Sequence, residues 1–281
     1  MPLWVPNGGR SFSEDNVGAA SAEFGTTVTA NATPHAEGTS IAQLVASTGF
    51  LSYGITVMTC GTAAATASTR MLVDILIGAG GSEIELIPNL LAGNKDLTSG
   101  ATSDVAMYHF PIMIPAASRI SARAQALIVS DTCTVAIWLH EQPRNVNGWY
   151  GTRVTAYGVD GAASTGTSHS PGNGSYAAAT QLTASTTNRI QYMQIGIDGL
   201  TDTTLSNSRG LVRIGVGATP TYLVEDLPWH ESTTVESITN SWANFILSQM
   251  RFSIPAAQSL HVSAQRNVAA EARGFVVYGV D

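Results

Sequence analysis

Lysine is nearly absent from this chain: Lys95 stands alone among 281 residues, and charged residues of all kinds make up 12%. The scarcity excludes one class of partner at once. Binding to a phosphate backbone draws its affinity from clustered cations, whereas the arginines here are scattered and the net charge is −7. Disorder is excluded too, because 44% of the residues are hydrophobic and a disordered chain combines low hydrophobicity with high charge. A surface this short of Lys and Glu is covered by Thr, Ser, Asn, Gln and Ala, which suits packing against other protein in an assembly.

Other absences narrow the reading further. Two cysteines, Cys60 and Cys133, are too few for a disulfide framework and too weak a signal for a metal site; two buried thiols and a bridge between adjacent strands both stay open. No apolar run reaches membrane-spanning length, and the opening MPLWVPNGGRSF has neither the basic nor the apolar region of a secretory signal, so no membrane partner and no export are expected. HExxH, GxSxG, Walker and CxxC motifs are missing. The histidines, His35, His109, His140, His169, His230 and His261, never recur at matched positions, and Glu83 and Glu85 read as a solvated strand face with Ile84 and Leu86 turned inward. Neither a cofactor, nor a metal, nor an enzymatic activity is expected.

What is present is a repeat. IPAASRISARAQ, Ile114–Gln125, returns as IPAAQSLHVSAQ, Ile254–Gln265, at an offset of 140 residues. Upstream, Leu72–Gly78 matches Leu211–Gly217 at 139, and Gln43–Thr48 matches Gln181–Thr186 at 138. Phe24–Ala30 is matched to Tyr150–Ala156 at 126, which implies an insertion of 12 residues within Tyr157–Tyr176 of the second copy. Downstream, Val135–Trp138 meets Phe275–Tyr278, again at 140. So long a period describes a duplicated globular domain rather than a solenoid unit.

Within the first copy, short alternating or apolar segments are expected to be strands: Phe24–Ala30, Ile41–Ala46, Phe50–Cys60, Met71–Ile77, Glu83–Ile87, Met107–Ile114, Arg119–Val129 and Cys133–His140. Eight strands separated by turn signals fit the two Greek keys of a jelly roll better than an immunoglobulin domain, whose Cys…Trp…Cys spacing is missing. Sustained helical periodicity is not found; one helical turn each is expected at Leu90-Leu91-Ala92 and near Trp229. The expected organisation is therefore all-β: an N-terminal arm at 1–23, a first β-sandwich at 24–141, a linker at 142–149 and a second β-sandwich at 150–281. Trp4 and Phe12 are isolated large residues in the arm and candidates for contact with a neighbour. Asp74 interrupts an apolar strand and corresponds to Arg213, so the two are candidates for an ion pair joining the copies if these pack through equivalent faces.

Residues 72–93, LVDILIGAGGSEIELIPNLLAG, and 110–126, FPIMIPAASRISARAQA, resemble blocks of structural proteins from tailed bacteriophages, with Ala117 and Ala257 standing where that pattern carries Gly. The resemblance implies a jelly-roll virion component, and within that class a capsid cement or decoration protein. Such a protein sits on the capsid surface, has the major capsid protein and its own copies in a homotrimer as partners, and acts by binding alone. A tail or head-fibre component binding host glycan is the alternative, with Trp149, Tyr150, Trp229 and Trp242 as candidate stacking residues.

Overall fold

A computed structural model describes residues 14–15, 25–61, 70–92, 105–141, 149–199, 208–232, 237–239, 241–268 and 271–281. The first domain contains β1 (Glu14–Asp15), β2 (Thr26–Thr29), β3 (Ala42–Val45), β4 (Ile55–Gly61), β5 (Met71–Ile77), β6 (Ile84–Leu91), β7 (Val105–Phe110), β8 (Ile120–Ala126) and β9 (Thr132–Leu139). Its strands are divided between two antiparallel sheets, one ordered β2-β9-β4-β7 with β1 also on β9, the other β3-β8-β5-β6. That order is two interleaved Greek keys, the jelly roll. Each strand sends one set of alternate residues inward, so Val28, Ile55, Val57, Val135 and Ile137 of one sheet meet Val73, Ile75, Ala122 and Ala124 of the other.

The second domain contains β10 (Val154–Tyr157), β11 (Val159–Asp160), β12 (Thr165–His169), β13 (Gly172–Asn173), β14 (Thr180–Thr183), β15 (Tyr192–Gly199), β16 (Ser208–Val216), β17 (Thr221–Ser232), β18 (Ser237–Thr239), α1 (Ser241–Leu247), β19 (Leu260–Arg266) and β20 (Arg273–Val280). The order β14-β19-β16-β17 repeats β3-β8-β5-β6, and β20 again pairs with β15 on one edge and with β10 and β12 on the other. The molecule is thus an all-β protein of two jelly-roll sandwiches.

Three local expectations are corrected. Residues Leu90 and Leu91 and residue Trp229 lie in strands, not helical turns, because paired neighbours on β5 and β16 extend both ladders. Ile84 is 68% exposed rather than inward: it stands opposite Ile77, the last residue of β5, at the turn end of the hairpin and beyond two shifts of register in the β5–β6 pairing. The first strand of the repeat is also placed differently. Thr26–Thr29 pairs with Thr132–Val135, and Thr167–His169 pairs with Arg273–Phe275, so Gly25-Thr26-Thr27 corresponds to Gly166-Thr167-Ser168 rather than to a segment starting at Tyr150. Both glycines are required by close backbone approach: a Cβ on Gly25 would meet the Val135 carbonyl oxygen at 2.2 Å, and one on Gly166 the Phe275 nitrogen at 2.5 Å. Glu14 opposite Leu139 then matches Thr155 opposite Gly279.

One strand is exchanged for a helix. Where β7 pairs with β4 in the first domain, α1 lies along β15 in the second. Asn244 on α1 accepts the Ile195 N–H at its side-chain oxygen, at 2.8 Å.

Candidate interaction surfaces

Asp74 and Arg213 occupy the same place in the two domains, opposite Arg123 and Ser263 respectively. The structure does not bring them together. Asp74 is buried and accepts the Asn89 N–H at 2.8 Å and the Arg123 Nε–H at 2.8 Å. Arg123 also bonds Glu37 and Glu85. The carboxylate oxygens of Glu37, Asp74 and Glu85 lie within 4.8 Å of one another, and the guanidinium is the cation that binds all three. Burial, followed by the charge of Asp74, holds the Glu85 carboxyl above its usual range. Arg213 instead lies between two aromatic rings, 3.7 Å from the Tyr222 centroid and 4.2 Å from that of Tyr176. Tyr176 donates to Asp226 at 2.7 Å, and burial first, then this bond, pushes its phenol up to about 12. One jelly-roll position thus carries an acidic cluster around an arginine in one domain and a cation between tyrosines in the other.

The two domains meet through unlike faces, which explains why Asp74 and Arg213 do not pair. All eight residues of β20 are buried. Phe275 and Val277 point into the second core, while Val276, Tyr278 and Val280 join the first. The Tyr278 hydroxyl accepts the Leu91 N–H at 2.8 Å and donates to the Asn89 carbonyl at 2.9 Å. Tyr108 donates to the Leu91 carbonyl at 2.8 Å, and its ring meets that of Tyr278 edge-on at 5.3 Å. At the edge of β7, Gln194 accepts the His109 N–H at 3.2 Å and the Asn244 amide donates to the Met107 carbonyl at 3.1 Å. These amides satisfy strand-edge groups that would otherwise invite pairing with another chain. Sequence reasoning missed the seam; its one legible sign was the unbroken apolar run Phe275–Tyr278, the mark of a strand covered on both faces.

Near its end the same seam holds a turn. The 3-10 segment Gly161–Ala163, followed by Ser164 at φ 51°, lies on the outer face of the β3-β8-β5-β6 sheet. There Gln125 Nε2 donates to the Gly161 carbonyl at 2.9 Å and lies 3.3 Å from Ser164 Oγ, which is 3.0 Å from His35 Nδ1.

The other named candidates are dispersed. Trp229 is buried in the second core. Tyr150 is 39% exposed and packs on Tyr53 with centroids 4.9 Å apart, and Arg251 lies 5.7 Å from the ring of Trp149. Trp4 and Phe12 lie outside the described residues, as do the side chains of Trp242 and Cys60. Cys133 is buried in the first core. Its counterpart Arg273 forms a buried ionic cluster, bonding Glu231 at 2.5 Å and Glu271 at 2.8 Å, with Arg266 on Glu231 at 3.1 Å. Among the described residues no helix is long and apolar enough to cross a membrane.

The strand order defines two jelly rolls in tandem. No protein-family model matches the sequence, and no curated protein matches it. Among solved structures the chain is similar to PNGF-II, with 8% identity over 91% of this chain and 65% of that one at a TM-score of 0.36. It is also similar to the STIV MCP, with 9% identity over 91% of this chain and 96% of that one at a TM-score of 0.31. The chain therefore spans about 65% of the length of the PNGF-II structure.

Proposed function

We propose that the chain is a structural protein of a virion, and specifically a capsid cement or decoration protein that binds the outside of a phage head and stabilises contacts between capsomers. The supporting observation is the conjunction of a duplicated jelly roll with the two phage-like sequence blocks. Residues 72–93 include the β5–β6 hairpin, and 110–126 run from the end of β7 through the Ala117 turn into β8. These are framework elements of the sandwich, so what the blocks have in common with phage proteins is architecture. A surface poor in charge adds to the reading, because it leaves little electrostatic cost to cover when large areas meet. Function by binding alone follows, with the major capsid protein and further copies of the chain as partners. Many weak contacts engaged together would resist outward pressure on the shell.

The test uses heads stripped of this chain. Adding the purified protein back is expected to raise the temperature at which they disrupt; heads that neither bind the chain nor gain stability would reject the cement reading. The glycan alternative draws on the half-exposed Tyr150 beside Tyr53. It predicts that the free chain binds host cells and that Tyr150→Ala abolishes that binding.

A further inference from the structure

The turn that rests on Gln125 has an unfilled counterpart. Gln125 stands opposite Leu72, and Gln265 stands opposite Leu211 in the same register. The His35 N–H donates to the Ala126 carbonyl, and the Gly174 N–H donates to that of Arg266; both residues have positive φ, 58° and 69°. The surface His35–Leu72–Gln125 of the first domain is therefore repeated as Gly174–Leu211–Gln265 in the second. There it is open: with Pro228, Arg209 and His230, these residues line a groove of about 580 Å³. Glycine at 174 widens it, since a Cβ at that position would meet nothing within 4 Å.

The sequence supplies an occupant. Gly161-Ala162-Ala163-Ser164, the turn seated on Gln125, recurs as Gly18-Ala19-Ala20-Ser21. The first of these tetrapeptides lies in the chain between β10 and β12, which pair with the two halves of β20. The second falls between β1 and β2, which pair with the two halves of β9 in the same manner. Each domain thus owns one such segment and one glutamine surface, and among the described residues one such pairing is made, from the second domain to the first. The groove belongs to the second domain, whereas Gly18–Ser21 is tethered on both sides to the first.

We propose that the groove at Gly174, Leu211 and Gln265 binds Gly18–Ser21 of a second copy of this chain. Gln265 would donate to a backbone carbonyl of the incoming segment as Gln125 does to Gly161, and the two alanines would let the backbone come close. Because donor and acceptor are different surfaces, the contact is head to tail, and its repetition closes a ring if the rotation allows. The contact does not depend on where on a virion the chain resides, so its failure would leave the cement reading standing.

Sedimentation velocity on the full chain tests the proposal. Wild type is expected to self-associate. Gln265→Trp, which fills the groove, and the double variant Ala19→Arg/Ala20→Arg, which makes the segment too bulky to enter it, are each expected to weaken association by roughly tenfold or more. Mixing the two variants restores a dimer, because the mixed pair keeps one intact groove and one intact segment, and that recovery also shows that both variants are folded. A wild-type chain that stays monomeric, variants that associate as wild type does, or a mixture no more associated than its components would each overturn the proposal.

Discussion

Ala117 and Ala257 hold the same left-handed backbone, φ 61° and 62°, at the same turn of the two domains. Each N–H donates to a threonine carbonyl, Thr48 for Ala117 and Thr186 for Ala257, at 2.7 and 2.8 Å. The threonine hydroxyls donate in turn to the carbonyls of Pro115 and Pro255, at 2.9 and 3.1 Å. Two independent stretches of chain therefore retain a conformation that an L-residue with a Cβ resists by about 1–2 kcal/mol. The phage-like pattern carries glycine here, and the backbone supplies the reason.

Replacing either alanine by glycine is expected to stabilise the protein. Relief of the left-handed conformation exceeds the added entropy of the unfolded chain, for a net gain of roughly 0.5–1 kcal/mol per site. The sites are in separate domains, so the gains should add. Chemical denaturation of A117G, A257G and the double variant measures this; a loss of stability in the single variants would contradict the strain argument.

Glu231 is fully buried beside Arg266 and Arg273, each about 1% exposed at the side chain. Glu231→Gln removes the charge that both guanidinium groups face, at an expected cost of about 3–5 kcal/mol. The corresponding positions of the first domain, Ala126 and Cys133, show that the fold itself does not require charge there. A cost below about 1 kcal/mol in an unfolding titration would mean that the cluster is not buried as described.

Tyr278→Phe keeps the ring in the seam but deprives the Leu91 N–H and the Asn89 carbonyl of their hydroxyl partner. Buried groups left in this way cost about 1–3 kcal/mol. The loss should be seen in both domains, because the residue belongs to the second and its partners to the first. Hydrogen exchange accelerated around Leu91 as well as along β20 is the expected signature; faster exchange confined to β20 would argue against a shared seam.

His169 corresponds to Val28 and is buried, its Nδ1 2.8 Å from Thr180 Oγ1 and its Nε2 accepting the Ala264 N–H at 3.0 Å. Burial lowers its pKa below the usual value of about 6.5. The unfolded chain therefore binds the proton more readily than the folded one. The stability that His169 contributes as a neutral ring is fully present above about pH 6.5 and is lost as pH falls below that value toward its folded pKa. Histidine resonances followed by NMR should place His169 below 6.5; a titration at or above 6.5 would contradict its buried, accepting geometry.

Much of this fold was legible because the repeat fixed which segments correspond and alternation marked the strands. The apolar run Met71–Ile77 marks a strand with the bounds the structure gives it. What escaped has physical causes. The four-residue strand Thr26–Thr29 is so rich in Thr that several segments of the second copy match it about equally, and a partner more than 100 residues away in sequence decides the register. Exchange of a strand for α1 depends on Asn244 reaching Ile195 and Met107, tertiary contacts that leave no local pattern. Asp74 and Arg213 were legible as equivalent positions, but their partners were not, because the domains pack through unlike faces. Gly18–Ser21 and Gly161–Ser164 match letter for letter, but only the bonds of Gln125 make that match meaningful.

The most direct test of the account is a cryo-EM map of the virus particle that carries this chain. The account predicts density for two adjacent jelly rolls, related as described, seated on the outer capsid lattice across neighbouring capsomers. Density at the tail or at a fibre tip, or particles complete without the chain, would contradict the assignment to the capsid surface.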